Sequence, residues 1–360
     1  MDRSPIKLTS ARAWRTYIGG SQIDAIHGIE GGQDTQFPEE WIMSIVSARN
    51  AGREHIQDEG MSYLEGRDVS LKDYITADPA ATLGTAHKDA LGATTGVLVK
   101  IIDAGERLTI QAHPSKEKAP ILFGSPFGKT ECWHILGGRE IGGEAPCIYM
   151  GFKEGITRQR WKEIFDTQDI PAMLNALHKF PVQPGETYLI KGGVPHAIGA
   201  GCLLVEIQEP TDYTVRTERI TPAGLHIADS QCHQGLGFEK MFDVFEYDAL
   251  TYEEAYKQWC IPPVILEETP DYIHREVIGY GQTACFRMER CDITGSCVFP
   301  KSDRFWGLYI LSGQGILTDS DGSHAVSGGD QFFVPAASRD FTVTAGDKPI
   351  TLFRCFGPEL

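Results

Sequence analysis

The sequence is poor in basic residues relative to acidic ones. Its 360 residues include 33 lysines and arginines against 49 aspartates and glutamates, which gives a formal net charge of −16. A protein that binds nucleic acid through its phosphates needs a positively charged surface, so this composition predicts no nucleic-acid partner. An anionic ligand would have to be held by a local cluster of lysine and arginine, because bulk charge will not attract it.

Long apolar runs are also absent. The N-terminal stretch MDRSPIKLTSARAW has no apolar signal-peptide core. No run approaches the roughly 20 residues of a membrane-spanning helix. We therefore expect a cytoplasmic protein with no membrane partner. The nine cysteines include no Cys-x-x-Cys pair, and an odd number of scattered thiols is typical of a reducing compartment rather than of a disulfide framework.

Short apolar or alternating runs, broken by glycine, proline and aspartate, dominate the chain after residue 96. GVLVKIIDAG, APCIYMGF, ETYLIKGG and CLLVEIQE are examples, and this rhythm predicts a mainly β fold, a sandwich or barrel. Residues 153–180 break the rhythm, and Asp169 before Pro171 predicts a helix start within them. The residues at helical spacing in this segment are Trp161, Ile164, Phe165, Met173, Leu174, Leu177 and Phe180. A further helix is predicted in DALTYEEAYKQW, with strands resuming near residue 273.

Two strand-rich regions contain similar sequence segments. PGETYLIKGGVPH (184–196) aligns with GGDQFFVPAASRD (328–340), which pairs His196 with Asp340. HILGG similarly matches YILSG, which places Trp306 where the first copy has Glu131. We interpret this as an internal duplication with helices inserted into the first copy. The predicted organisation is a first catalytic domain of residues 1–152 and 181–260, a helical insertion of 153–180, and a second, degenerate domain of 261–360.

Polar residues at strand ends of the first copy form a candidate metal site. Gln111 and His113 in IQAHP point to the same face of a strand, since side chains alternate along it. Glu131 in GKTECW and His196 in GGVPHAIG add oxygen and nitrogen donors, a set that suits Zn²⁺ with an open position. The second copy replaces Glu131 and His196 by non-ligands, which predicts one metal site in one half only.

These motifs resemble those of the class I phosphomannose isomerases, zinc-dependent cupin enzymes. The resemblance rests on IQAHP, GKTECW, VPHAIGAGCLLVEIQEPTDYTVR and SIVSARNAG. It implies two cupin (jelly-roll) β-barrel domains, one Zn²⁺ per chain, a sugar-phosphate substrate, and interconversion of mannose 6-phosphate and fructose 6-phosphate. The implied zinc ligands are Gln111, His113, Glu131 and His196. The implied catalytic residues are Lys129, Glu206 and Arg216.

The proposed chemistry leaves several roles open. Moving a proton between C1 and C2 through a cis-enediol requires a base, for which Glu206, Lys129 and a water at the metal are candidates; we favour Glu206. Arg216 could stabilise the enediolate or hold the phosphate. A non-catalytic sugar-binding or regulatory cupin, an isomerase of a related sugar, and an Fe²⁺ cupin oxygenase are the alternatives. The joint presence of Lys129, Glu206 and Arg216 favours an enzyme over a binding module, and a glutamine ligand suits zinc better than iron.

Overall fold

The fold consists mainly of antiparallel strands, as a computed structural model shows for residues 3–360. The strands β1 to β22, in chain order, are Ile6–Leu8, Ala11–Ala13, Glu39–Ile42, Leu98–Asp103, Gln111–Ala112, Glu131–Gly138, Cys147–Phe152, Leu177–Pro181, Thr187–Ile190, His196–Ile198, Cys202–Gln208, Val215–Arg216, Val264–Glu268, Tyr272–Ile278, Arg287–Ile293, Ser296–Phe299, Trp306–Ser312, Gln314–Asp319, Gly322–Ser327, Gln331–Val334, Phe341–Ala345 and Ile350–Phe356. The helices α1 to α10 are Ser21–Ile26, Leu71–Ala77, Pro79–Leu83, Thr85–Leu91, Ala119–Phe123, Arg158–Thr167, Ile170–Asn175, Asp229–His233, Phe238–Met241 and Tyr252–Trp259.

The first barrel is formed by two facing sheets. Its larger sheet has the strand order β2-β3-β4-β11-β6-β9, and its smaller sheet has the order β12-β5-β10-β7-β8. Alternate residues of both sheets point inward, and they meet in a buried apolar cluster that includes Trp133, Leu204, Ile148 and Phe180. The interior of the first barrel is therefore packed with apolar side chains.

The second barrel repeats this architecture. Its larger sheet has the order β1-β20-β17-β22-β15-β14-β13, and its smaller sheet has the order β16-β21-β18-β19. Read in the opposite direction, the first barrel's order β9-β6-β11-β4-β3-β2 corresponds strand for strand to β20-β17-β22-β15-β14-β13. The mainly β fold expected from the sequence is confirmed, and the two pairs of sheets are consistent with the expected two cupin-type barrels. Strand β1, from the start of the chain, completes the second barrel by pairing with β20.

The two barrels pack against each other through their larger sheets. The outward-facing residues of β4 and β11, such as Val99, Val205 and Ile207, share one buried cluster with Met288 and Phe353 of the second barrel. This interface is apolar and continuous, so the second barrel stabilises the sheet that carries part of the first barrel's site.

The predicted helical insertion forms two short helices between β7 and β8. Helix α6 is capped by Thr157, whose hydroxyl accepts a hydrogen bond from the Arg160 amide, and α7 is capped by Asp169, as predicted. The helical prediction is wrong for Leu177 and Phe180, which lie in β8. Their backbones pair with β7, and both side chains are buried because the strand completes the smaller sheet.

The predicted helix near residue 250 and the predicted start of the later strands can be compared with α10 and β13. The helix predicted in DALTYEEAYKQW is α10, which carries a capping box formed by Thr251 and Glu254. Strands resume at β13, from Val264, earlier than the predicted residue 273. Within residues 3–360, no helix has the length and apolar character needed to cross a membrane.

Candidate metal centre and active-site pocket

Strand pairing in the smaller sheet brings the predicted donors to one end of the first barrel. Gln111 opens β5 and pairs with both His196 on β10 and Arg216 on β12. His113 follows β5 directly, and Glu131 opens β6 on the opposite sheet. Residues that are far apart in sequence, from 111 to 216, therefore meet because the barrel closes around this end.

His113, Glu131 and His196 form a tight buried cluster. The two imidazole Nε2 atoms lie 3.2 Å apart. One carboxylate oxygen of Glu131 is 3.3 Å from Nε2 of His113, and the other is 3.2 Å from Nε2 of His196. All three side chains are almost completely buried. Their ligand atoms lie within 4.8 Å of one another, which is close enough for one metal ion to contact all of them.

Hydrogen bonds on the far side of each ring fix the orientation of both imidazoles. Nδ1 of His113 lies 2.8 Å from the carbonyl oxygen of Tyr213, and Nδ1 of His196 lies 2.8 Å from that of Val194. A carbonyl can only accept, so each Nδ1 carries the proton and each Nε2 presents a lone pair to the cluster.

Electrostatics keep the cluster in its metal-binding protonation state. Burial lowers the pKa of His113 to about 3 and also lowers that of His196, so both rings are neutral. Burial alone would raise the pKa of Glu131, but Lys129 and the two imidazoles hold it well below its usual range.

The cluster fits a divalent cation. Two lone pairs face each other at 3.2 Å, and in the described chain neither oxygen of the Glu131 carboxylate accepts a hydrogen bond. Burying lone pairs and carboxylate oxygens without a partner costs folding free energy, unless a cation lies between them. Two neutral imidazoles with a carboxylate are ligands that zinc and other borderline divalent ions accept.

Gln111 and Lys129 border the same point. The side-chain amide nitrogen of Gln111 is 3.4 Å from Nε2 of His196, and turning the amide over would present its oxygen there instead. The ammonium group of Lys129 lies 2.9 Å from Nε2 of His113 and 3.3 Å from Glu131. Burial lowers the pKa of Lys129. All the residues predicted as zinc ligands, together with Lys129, are thus brought together.

Glu206 lies deeper in the barrel, in a buried ion pair that the sequence did not reveal. One of its oxygens is 2.8 Å from the ammonium group of Lys100, and the other accepts a hydrogen bond from the Trp133 indole at 3.0 Å. Burial raises the pKa of the Glu206 carboxyl. For Lys100, burial lowers the pKa, but Glu206 and Glu39 outweigh it and raise the pKa.

Arg216, which is partly exposed, differs from the buried cations Lys100 and Lys129 in forming no ion pair within residues 3–360. Its Nη1 donates to the carbonyl oxygens of Thr214, at 3.2 Å, and of Gln231, at 3.1 Å. Its charge is therefore available to an anionic ligand.

A continuous pocket connects these residues to the surface. A small cavity of about 50 Å³ is bordered by Gln111, Lys129, Glu206 and Arg216. It adjoins an open cleft of about 870 Å³ lined by parts of residues 46–57, 125–127, 210–213 and 230–234. The two cavities share the lining residues Arg49, Asn50, Asp212 and Gln231. The cleft is thus large enough for a sugar phosphate, with the predicted catalytic residues at its inner end.

Several charged residues of this pocket were not predicted, among them Arg15, Glu39, Arg49 and Lys100. Arg15 pairs with Glu39 at 2.9 Å and with Asp212 at 3.2 Å. Burial would raise the pKa of Glu39, but Arg15 and Lys100 lower it to about 2. One sequence signal existed for Lys100, a cation inside the otherwise apolar run GVLVKII, because a charge in a fully buried strand needs a partner.

Two family models and several curated relatives match this chain. A family model described as "Phosphomannose isomerase type I, catalytic domain" matches residues 53–126, and one described as "Mannose-6-phosphate isomerase, cupin domain" matches residues 277–351. "Probable mannose-6-phosphate isomerase GmuF" of Bacillus subtilis is 25% identical over 264 residues, 71% of this chain and 76% of the relative. "Mannose-6-phosphate isomerase ManA" of the same organism is 25% identical over 295 residues, 78% and 83% of the two chains.

Solved structures share the fold along the whole chain. The crystal structure of the mannose 6-phosphate isomerase from Bacillus subtilis superposes with a TM-score of 0.74 at 21% identity, covering 98% of this chain and 99% of that one. A mannose 6-phosphate isomerase bound with zinc and yttrium gives a TM-score of 0.71 at 15% identity, covering 99% and 100%. At these identities the likeness establishes the two-barrel fold.

Proposed function

We propose that this chain, which belongs to the type I phosphomannose isomerase family, interconverts mannose 6-phosphate and fructose 6-phosphate. The observation that carries the proposal is the buried His113, Glu131 and His196 cluster. Gln111 and Lys129 border this cluster, and both line the small inner cavity together with Arg216, which forms no ion pair within residues 3–360. A metal site beside a free cation suits a reaction that develops negative charge on a phosphorylated sugar.

We further propose that one zinc ion is held by Gln111, His113, Glu131 and His196. Zinc would supply a Lewis acid that stabilises negative charge on O1 and O2 of the sugar. The donor types support zinc, and the zinc-bound structural neighbour is consistent with it. The site belongs to the first domain, for which we propose residues 1–152 and 181–260, with 153–180 as the helical insertion and 261–360 as the second domain.

We propose separate roles in proton transfer and charge stabilisation for the other residues of the pocket. Glu206 is the proposed base that moves the proton between C1 and C2, and Lys100 positions its carboxylate through the 2.8 Å ion pair. Arg216 pairs across β12 and β5 with Gln111, so we place it at the reacting end of the sugar. Lys129 adds positive charge at the same end. Arg49 lines both cavities, and we propose that it contacts the phosphate.

The proposed function is tested by removing and restoring the metal. Chelated full-length protein should lose turnover of mannose 6-phosphate in a coupled assay, and stoichiometric zinc should restore it. Elemental analysis should find one equivalent of tightly bound zinc per chain. His196→Ala should lose that equivalent, whereas His324→Ala, a change at an exposed histidine of β19 in the second barrel, should keep it. Two tightly bound equivalents, or full turnover by metal-free protein, would contradict the proposal.

The cationic pocket predicts selectivity for the phosphorylated sugar. Because the chain is acidic overall, a dianion can be held only by local cations, and Arg216 and Arg49 form no ion pair within residues 3–360. The kcat/KM for mannose 6-phosphate should exceed that for mannose by at least about a hundredfold, as expected for loss of charge-assisted hydrogen bonds. Steady-state assays with both sugars measure it, and equal turnover would exclude a phosphate site.

A further inference from the structure

The second barrel contains a pocket at the position that corresponds to the active site of the first. Three facing residues on neighbouring strands define this position in each barrel: Lys100, Glu206 and Trp133 in the first, and Glu289, Arg354 and Leu308 in the second. The correspondence follows from strand register alone, because β4-β11-β6 and β15-β22-β17 occupy the same places in their sheets.

The charges at these equivalent positions are inverted. Lys100 pairs with Glu206 at 2.8 Å and lies 3.9 Å from Glu39. In the second barrel the central residue is an acid, Glu289, which pairs with Arg354 at 2.8 Å and with His274 at 2.8 Å. Register also places His274 where the first barrel has Glu39. The second barrel has kept a buried ionic network in its interior while exchanging acid for base.

The metal ligands have no counterparts in this pocket. Trp306 replaces Glu131, and its ring stacks against the guanidinium of Arg354 at 4.4 Å. Arg304, two residues before Trp306, stands where Lys129 stands before Glu131. A cavity of about 570 Å³ remains, and its lining residues include no histidine or cysteine. A ligand here would be bound without a metal.

The cavity is positively charged in a protein that is otherwise acidic. Four cations line it, Arg287, Lys301, Arg304 and Arg354, against the carboxylates of Glu289 and Asp303. Arg287 and Arg354 share Glu289, at 2.6 and 2.8 Å. Lys301 and Arg304 form no ion pair with any residue between 3 and 360. Both lie on the loop from residue 300 to 305, at the edge of the cavity.

We propose that this pocket binds a small phosphate-bearing molecule, held by Lys301 and Arg304 and oriented by Arg354. Two cations without carboxylate partners, on one short loop, match a dianionic phosphate better than a single carboxylate, and the guanidinium fork suits its oxygens. The cavity volume is in the range of metabolite sites. Tyr280 and Phe356 complete the wall and offer an apolar surface to the rest of the molecule.

Phosphate binding to the zinc-loaded full chain tests this site. Equilibrium dialysis with labelled inorganic phosphate would compare the unmodified protein, the double variant Lys301→Gln/Arg304→Gln, and the control Arg339→Gln/Lys348→Gln. The control removes the same charge from exposed positions of the same barrel. Neither change in the pocket variant breaks an ion pair within residues 3–360, and its melting temperature should match that of the unmodified protein.

The pocket variant should lose one bound phosphate, or bind it at least about tenfold more weakly, while the control binds as the unmodified protein does. Its kcat and KM for mannose 6-phosphate should stay within about twofold of the unmodified values, because the site lies in the other barrel. If fructose 6-phosphate binds more tightly than inorganic phosphate, and this binding is lost in the pocket variant, the ligand is a sugar phosphate. If the two bind equally tightly, the ligand is free phosphate. Unchanged phosphate binding by the pocket variant, or an equal loss in the control, would overturn the proposal.

Discussion

Replacing Glu206 by glutamine should lower kcat by about a thousandfold and leave KM for mannose 6-phosphate within about threefold. Glutamine has nearly the same shape and can still accept the hydrogen bond from Trp133, but its amide cannot take up a proton. If Glu206 is the base, the lost step accounts for about 4 kcal/mol of activation free energy. Exchange of the C2 hydrogen of mannose 6-phosphate with solvent, followed by NMR, should slow in parallel with turnover.

The substitution also removes the partner of Lys100, so its effect on stability needs a control. Glu289→Gln removes the buried carboxylate of the second barrel's ion pair and leaves Arg354 without its partner. Both variants should be less stable than the unmodified protein, since each leaves a buried charge unpaired. Only Glu206→Gln should lose turnover under conditions where both are folded. Near-normal kcat for folded Glu206→Gln would make Glu206 a counterion of Lys100 and leave Lys129 and a water at the metal as the candidate bases.

The mainly β architecture and the duplicated halves were predictable because they depend on local pattern. Alternating apolar runs, the repeated glycine-anchored phrase and the cap formed by Asp169 are all encoded within a few residues. The error at Leu177 and Phe180 is of a different kind. Their spacing suits a helix. Backbone pairing with β7 outweighs this local helical preference, so both residues form part of a strand.

The donor cluster was accessible from the sequence because its members lie on short motifs at strand ends. Gln111 and His113 are two residues apart, so a strand presents both on one face. The network of Lys100, Glu39 and Arg15 was not accessible in this way. Its members come from three separate segments, and only the register of β3, β4 and β11 brings their side chains together.

The comparison of the two barrels clarifies what makes the first one suited to catalysis. Both keep a buried acid and base on facing strands, so a buried ion pair by itself does not identify the active site. The first barrel adds the His113, Glu131 and His196 cluster and a cation, Arg216, that has no carboxylate partner within residues 3–360. A purely sugar-binding barrel would have no need for Lys129, Glu206 and Arg216 around one cavity, which favours turnover over simple binding.

Arg216→Ala should lower kcat by about a hundredfold or more and raise KM much less, if the guanidinium lies at the reacting end of the sugar as we propose. It pairs in register with Gln111, and two backbone carbonyls hold its Nη1. A cation fixed in this way can stabilise charge that develops on the enediolate without first reorganising. The expected loss corresponds to about 2.7 kcal/mol or more of transition-state stabilisation. If Arg216 gripped only the phosphate, KM would rise and kcat would change little.

Two companion variants complete this measurement. Arg216→Lys should recover only part of kcat, since an ammonium supplies charge without the planar fork. Arg219→Ala changes an arginine three residues further on, which is 42% exposed and pairs with Asp229, and it should leave kcat and KM near the unmodified values. Bound zinc, measured by elemental analysis, should stay at one equivalent in all three variants, so that the kinetic differences report on the side chains. Arg216→Ala with kcat and KM both unchanged would show that this residue takes no part in the reaction.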